Sequence, residues 1–223
     1  MESTASTKAV SSSIYEQIPE VVHPSVSCII KRSMDILGSF IGLLLLTGIV
    51  VPIAIAIKID SPGPVFYSQE RYGLHGKTFH IWKFRSMIAN ADDLKTLIEN
   101  QVQGQLFKNE DDPRITRVGR FLRRTSLDEF PQFWNVFKGD MSLVGTRPPT
   151  HDEVAKYEAH HWERLNVKPG ITGQWQVNGR SSIKDFEEVV KLDLLYQEIW
   201  NPLYDLKLIL KTIFYVLFRL NAF

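Results

Sequence analysis

The residues best equipped for chemistry lie between Arg114 and Arg147. Arg114, Arg117, Arg120 and Arg123 recur every third position, with Arg124 adjacent, so on a helix they form a broad arginine stripe. A guanidinium offers paired donors that match a phosphate. Diphosphates and anionic lipid headgroups are the ligands this implies, beside the plainer reading of a solvated basic face. Thr125-Ser-Leu-Asp-Glu129 follows directly. Adjacent carboxylates among arginines favour the ionised form. An ionised Asp128 is a competent nucleophile, and Glu129 offers oxygen to a hard divalent cation. A structural reading competes. Ser126-x-x-Glu129 has the capping-box pattern, in which both side chains serve backbone donors at a helix start. Pro131 then falls beyond the first turn, and a start nearer Asp128 would make Asp128 the cap. Farther on, Lys138-Gly-Asp140 reads as a helix exit, and Gly145-Thr-Arg-Pro148 as a turn that would hold Arg147 rigidly as a phosphate clamp.

These groups need a scaffold. Val65–Tyr72 and Thr78–Arg85 read as two strands joined by Gly73-Leu-His-Gly76, a hairpin. In the second strand Phe79, Ile81, Lys83 and Arg85 share a face. Lys83 and Arg85 are either solvated strand-end cations or anion ligands. Residues 87–100 and 151–165 read as polar helices, and 183–200 as another, ended near Asn201-Pro202. Lys168–Gly179 reads as a turn, a short strand and a second turn.

Between Asp35 and Lys58 lie 22 residues without a charge. A straight helix of that length reaches roughly 33 Å, about the thickness of a bilayer core. A buried core helix, a straight span and a helix that enters, bends and returns to the same face are the three arrangements open to it. Pro52, with Gly48 one turn before it, favours the bend near 48–52. So do the basic flanks on both sides, Lys31 and Arg32 before the run and Lys58, Arg71, Lys77, Lys83 and Arg85 after it. From Asp205 to Leu220 most positions are apolar, while Lys207, Lys211, Tyr215 and Arg219 recur every four residues. That pattern suits a helix over 203–220 lying in the headgroup layer, or one packed on the domain.

Composition sets outer limits. The 223 residues carry 26 Lys+Arg against 25 Asp+Glu, which gives no bulk attraction to nucleic acid. Cys28 stands alone, so no intramolecular disulfide forms. No His/Cys cluster has zinc-site spacing. Residues 1–27 are rich in Ser and Thr and read as a flexible polar tail without signal-peptide character.

Taken in order, several segments resemble the bacterial sugar transferase family, the monotopic phosphoglycosyl transferases. The matching pieces are Lys31-Arg-x-x-Asp35, Asp60-Ser-Pro-Gly-Pro-Val-Phe66, Trp82-Lys-Phe-Arg-Ser-Met87, Ser126-Leu-Asp-Glu-x-Pro-Gln132, Asn135 through Pro148, Pro169-Gly-Ile-Thr-Gly173, Gln176-Val-Asn-Gly-Arg180 and Asp205-Leu206. They cover roughly residues 28 to 219 and resemble the family's minimal form. The resemblance implies an α-rich α+β fold. A re-entrant membrane helix spans 28–58, and a cytoplasmic-face catalytic domain of 59–223 carries a hairpin and interfacial helices. It implies transfer of a sugar 1-phosphate from a UDP-sugar to polyprenyl (undecaprenyl) phosphate at the bacterial inner membrane, an opening step of exopolysaccharide or O-antigen assembly. Asp128 would attack the β-phosphate and release UMP. Glu129 would bind Mg²⁺. Lys83, Arg123, Arg147 and Asp205 match family positions at or near the site. Two positions depart from the family's pattern: its Ser-Pro helix break aligns with Thr47-Gly48, and its Gly-Pro-Arg-Pro is Gly-Thr-Arg-Pro here. A non-catalytic scaffold on anionic lipid and a diphosphate hydrolase are the rival functions. The sugar and the oligomeric state, a homodimer included, stay open.

Overall fold

The computed structural model describes residues 22–101, 109, 111–179, 183 and 185–218. The expectations for the first 21 residues, for Arg180 and for Arg219 and Leu220 lie outside them. A short helix, α1 (Pro24–Ser27), leads into α2 (Ile29–Asp60), which runs on through Gly48 with Pro52 inside it. Thr47 and Ser39 turn their hydroxyls back onto the carbonyls of Leu44 and Ile36, at 2.7 and 3.1 Å. Helix α2 is long and apolar enough to cross a membrane, and only 17% of its most apolar stretch is buried. One stripe faces protein. Lys31, Asp35, Ser39 and Gly42 are buried, and Leu46, Val50, Ile53 and Ile57 continue the row against Phe84 and Leu122. The steps of three and four residues keep the row on one helix face. Leu37, Leu44, Leu45, Val51 and Ile55 lie bare on the others.

The hairpin forms as its alternation requires. Strands β1 (Phe66–Tyr72) and β2 (Thr78–Phe84) pair antiparallel from Phe66↔Phe84 to Tyr72↔Thr78. The helix expected over 87–100 does not form: the described stretch holds only a 3-10 turn at Lys95–Leu97. Its start is held extended by a bridge between Met87 and Ile115 and a bond from the Ile88 N–H to the Arg114 carbonyl. Helix α3 (Arg117–Arg124) is capped by Thr116, whose hydroxyl accepts from the Gly119 N–H at 3.0 Å. Helix α4 (Gln132–Lys138) ends at Gly139 in a left-handed conformation, φ 99°, the expected exit.

A second ladder was not foreseen. Strands β3 (Ser142–Val144) and β4 (Gly170–Thr172) pair in parallel, Ser142 with Gly170 and Val144 with Thr172. A β-carbon on Gly170 would collide with the Gly145 nitrogen, so the chains approach this closely only because both residues are glycines. The strand β4 thus falls where a turn was expected, and Gln174–Gly179 is a helix, α6, instead of a strand and turn. The helix expected over 151–165 is interrupted. Helix α5 (His151–Val154) stops, and a 3-10 segment runs from Ala159 to Asn166. The intervening turn lets Tyr72, Val154, Trp162 and Leu165 close one core cluster, with Tyr157 edge-on to Trp162 at 5.9 Å. Helices α7 (Phe186–Ile199) and α8 (Pro202–Phe218) complete the fold. Along α8, Leu208 is buried while Leu203, Leu210, Phe214 and Phe218 are exposed. Lys207 and Lys211 sit over the rings of Tyr204 and Tyr215, each 5.7 Å from the centroid.

Candidate active site

The carboxylate pair sits on a 3-10 turn, Leu127–Glu129, between α3 and α4. The chain enters it through Ser126, whose φ of 56° is left-handed, an uncommon state for a residue with a β-carbon. The capping reading is corrected. Ser126 makes no side-chain cap bond, and α4 starts only at Gln132, with Pro131 as its uncapped first boundary residue. At that boundary the proline's missing N–H costs nothing, because the donor would have no helical partner anyway. The two carboxylates serve different neighbours. Glu129 Oε1 accepts from Lys83 Nζ at 2.8 Å, across from the end of β2. Asp128 is 7% exposed, and its charge acts on the guanidinium of Arg123. Arg123 turns inward from α3 and donates through Nε to Ser86 Oγ at 2.9 Å. Burial pulls its pKa down, partly offset by Asp128 and Asp112.

On the Glu129 side a cleft of about 110 Å³ opens, with Arg71, Lys83 and Arg147 on its walls. Gly145–Pro148 is not a turn: Thr146 pairs with Pro169 in a parallel bridge, and Arg147 is held by Glu153 instead. Arg147 Nη1 donates to both oxygens of Glu153, at 2.9 and 3.1 Å. Glu153, 4% exposed, also accepts the Thr150 N–H at 2.7 Å in a capping box that starts α5. Burial would raise its carboxyl, but Arg147, the Thr150 N–H and Arg71 outweigh that and hold it below the usual range. Arg71 donates to the Pro148 carbonyl at 3.0 Å. Burial, and then Arg147 beside it, push its pKa down to about 10. Two guanidinium groups and an ammonium converging on one cleft leave positive potential that an anion relieves.

The remaining expected site residues lie apart from this cleft. Arg85, 6% exposed, donates to the Ser61 carbonyl at 2.8 Å and to that of Pro62, tying down the end of α2 instead of facing the cavity. Asp205, 1% exposed, accepts from Lys31 Nζ at 2.6 Å, from Tyr196 OH at 2.8 Å and from Trp200 Nε1 at 3.1 Å. Lys31 also donates to the Val144 carbonyl, and Asp35 accepts from Ser142 Oγ and the Leu143 N–H at 2.8 and 2.9 Å. Asp205 thus fastens α8 to α2, and Lys31 and Asp35 fasten α2 to β3, the strand that leads into Arg147. The arginine stripe does not stay whole. Arg114 precedes α3 and is locked to Asp112 at 2.7 Å, Arg123 points inward, and Arg117, Arg120 and Arg124 are exposed.

Sequence reasoning missed Arg71 as a cleft residue, along with Glu153, Gln132, Trp175 and Gln176. Arg71 and Glu153 carried no local signal beyond their charge. Gln132 and Gln176 were present in the matched motifs without a role. The fold also brings together His160, His161 and Glu187, whose ligand atoms lie within 4.8 Å of one another although no zinc spacing was read. The Glu158 N–H donates to His161 Nδ1 at 2.8 Å, so the ring proton is on Nε2, which donates to Glu187 Oε1 at 2.7 Å. With its acceptor nitrogen taken and the other protonated, His161 is a hydrogen-bond donor here and a poor metal ligand.

The chain was compared with known proteins. Residues 26–219 match the family model described as bacterial sugar transferase. The chain is 50% identical to "Galactosyl transferase CpsE" of Streptococcus agalactiae serotype III, over 87% of this chain and 43% of that protein. It is 41% identical to "UDP-glucose:undecaprenyl-phosphate glucose-1-phosphate transferase" of Escherichia coli K12, over 85% of this chain and 40% of that protein. It is 42% identical to "Undecaprenyl-phosphate galactose phosphotransferase" of Salmonella typhimurium, over 87% and 42%. The chain thus spans less than half the length of these curated relatives. With the matched segment reaching from α1 past the last described residue of α8, this chain belongs to the bacterial sugar transferase family.

Proposed function

We propose that this chain is a phosphoglycosyl transferase that moves a hexose 1-phosphate from a UDP-hexose onto undecaprenyl phosphate at the cytoplasmic face of a bacterial membrane. The observation that carries the reading is the pairing of one buried and one cleft-facing carboxylate, Asp128 and Glu129, with Lys83, Arg71, Arg123 and Arg147 around them. The relatives' names, which specify glucose or galactose and undecaprenyl phosphate, supply the substrate classes.

The diphosphate sits against Arg71, Lys83 and Arg147. An Asp128 carboxylate oxygen attacks the β-phosphorus, the bond to the bridging oxygen breaks, and UMP departs with that oxygen. The hexose phosphate is then esterified to Asp128. An oxygen of undecaprenyl phosphate attacks the same phosphorus, restoring the carboxylate and leaving a lipid diphosphate sugar. The arginines hold the charged oxygens in line, which is most of what phosphoryl transfer asks of a protein. Glu129 fits a role toward Mg²⁺, since that ion needs only one or two carboxylates when substrate phosphates and water complete its shell. When bound, the ion neutralises charge on the diphosphate.

The membrane reading is a re-entrant helix. Both ends of α2 are fastened to the same domain: Lys31 and Arg32 to Asp205 and to the carbonyls of Val136 and Phe137, and Asp60 to the Val118 N–H at 2.8 Å. A straight span would carry the two ends of this 32-residue helix to opposite faces, roughly 48 Å apart. Cysteines introduced beside Ile29 and Asp60 should label from one side of a sealed vesicle. Labelling from opposite sides removes the bend. Detergent-purified protein given Mg²⁺, undecaprenyl phosphate and UDP-glucose or UDP-galactose should release UMP. Release of free sugar phosphate without lipid would make it a hydrolase, and no UMP at all would leave a lipid-binding scaffold.

A further inference from the structure

Beyond its cations, the cleft carries neutral polar groups that the phosphate chemistry leaves unused. Gln132, at the start of α4, is 3% exposed and lines the cleft. Gln176 on α6 donates through Nε2 to the Ile171 carbonyl at 3.1 Å. A carbonyl can only accept, which fixes the amide's orientation, and Gln176 Oε1 is left buried with no partner. Trp175, 8% exposed, packs its ring among Ile183, Phe186, Val189 and Val190, while its Nε1–H finds no acceptor. All three residues line the same cleft as Arg71, Lys83 and Arg147.

Buried polar groups are nearly always paired, because an unmade bond forfeits the solvation given up on folding. Two such groups on residues lining one cleft, the Trp175 Nε1–H and Gln176 Oε1, therefore mark a place where a ligand supplies the partners. The ligand must both donate and accept, since one unmade group is an indole N–H and the other an amide oxygen. A sugar hydroxyl does both. The sugar is bonded directly to the β-phosphate, so polar groups lining the same cleft as the phosphate-binding cations are placed to meet it. The uracil is separated from it by a further phosphate and a ribose.

We propose that Gln132, Trp175 and Gln176 form the hydroxyl-reading subsite that selects the hexose. This rests on the transferase reading above and extends it to donor specificity. Gln132 and Gln176 each offer an acceptor to a hydroxyl proton, and the Trp175 indole N–H donates to a hydroxyl oxygen. A site built to bond a hydroxyl discriminates strongly against a substrate lacking it, because its own groups are then left unpaired.

The test is UMP release by the full chain in detergent, with the preferred UDP-hexose and its monodeoxy analogues as donors. The wild type should lose roughly 10- to 100-fold in kcat/KM on at least one deoxy donor. Trp175→Phe keeps the ring and removes only the donor, and Gln132→Leu removes the amide. Each should lose a comparable factor on the parent sugar and little on the matching deoxy sugar, so that the discrimination collapses. If either variant folds poorly, its parent-to-deoxy ratio still reads the contact, because both rates come from the same folded fraction. Discrimination unchanged in both variants overturns the proposal, as does an equal loss on every donor together with a matching rise in the inhibition constant of UDP, which would assign these groups to the nucleotide. A wild type that releases no UMP with any UDP-sugar overturns instead the transferase reading on which this rests.

Discussion

The cleft and the junction between α2 and β3 are built from the same kinds of residue and end in opposite states. At the junction Lys31, Asp35, Asp205 and Tyr196 are all buried or nearly so, and each is bonded to a named partner within 3.0 Å. In the cleft Lys83 meets Glu129, Arg147 meets Glu153, and Arg71 bonds only the neutral Gln69 amide and Pro148 carbonyl among the described residues, with open space beside all three. A charge whose bonds close within the protein becomes a fastener. A charge left in excess beside open space becomes a binding group. The two regions are mechanically connected, since β3 runs from the junction straight into Gly145-Thr-Arg147.

That contrast can be attacked at four points. Asp128→Asn keeps the shape of the turn and removes the proposed nucleophile, so UMP release should fall by at least ~10³-fold with the melting temperature nearly unchanged. Wild-type turnover in this variant would remove the proposed chemistry. Asp205→Ala strands Lys31 in a buried site and should cost about 3–5 kcal/mol of stability, read as a lowered unfolding midpoint. A wild-type midpoint would mean that the junction is not a fastener.

Glu153→Gln should raise KM for the UDP-sugar roughly tenfold, with kcat less affected, because Arg147 loses a charged anchor. The pH dependence follows from the same carboxyl. Its folded pKa lies below the ordinary value of 4.5, so the stabilisation is complete above 4.5 and disappears as pH falls through the folded value. Wild type and Glu153→Gln should therefore converge in acid, and a constant gap would refute the anchor. The smallest effect is expected at Arg117, exposed on α3: Arg117→Ala should change stability by less than about 0.5 kcal/mol and leave UMP release in detergent unchanged.

The sequence by itself determined what depends on neighbours along the chain. The apolar run of α2, the β1–β2 hairpin, the Gly139 exit and the density of charge around Asp128 and Glu129 are all local patterns, and a helical or strand period makes each visible. Tertiary structure alone decided how that charge was used. Lys31 meets Asp205 across 174 positions and Lys83 meets Glu129 across 46, so no spacing rule links them. Strands β3 and β4 have three residues each, too few to show a period, and they pair because two glycines let the backbones touch. Arg85 and Arg114 looked like anion ligands until burial gave them partners inside the protein, while the fold brought Arg71 to the cleft wall beside Arg147. Residue type fixes which bonds a side chain can make, and only the packed chain decides which of them are already made.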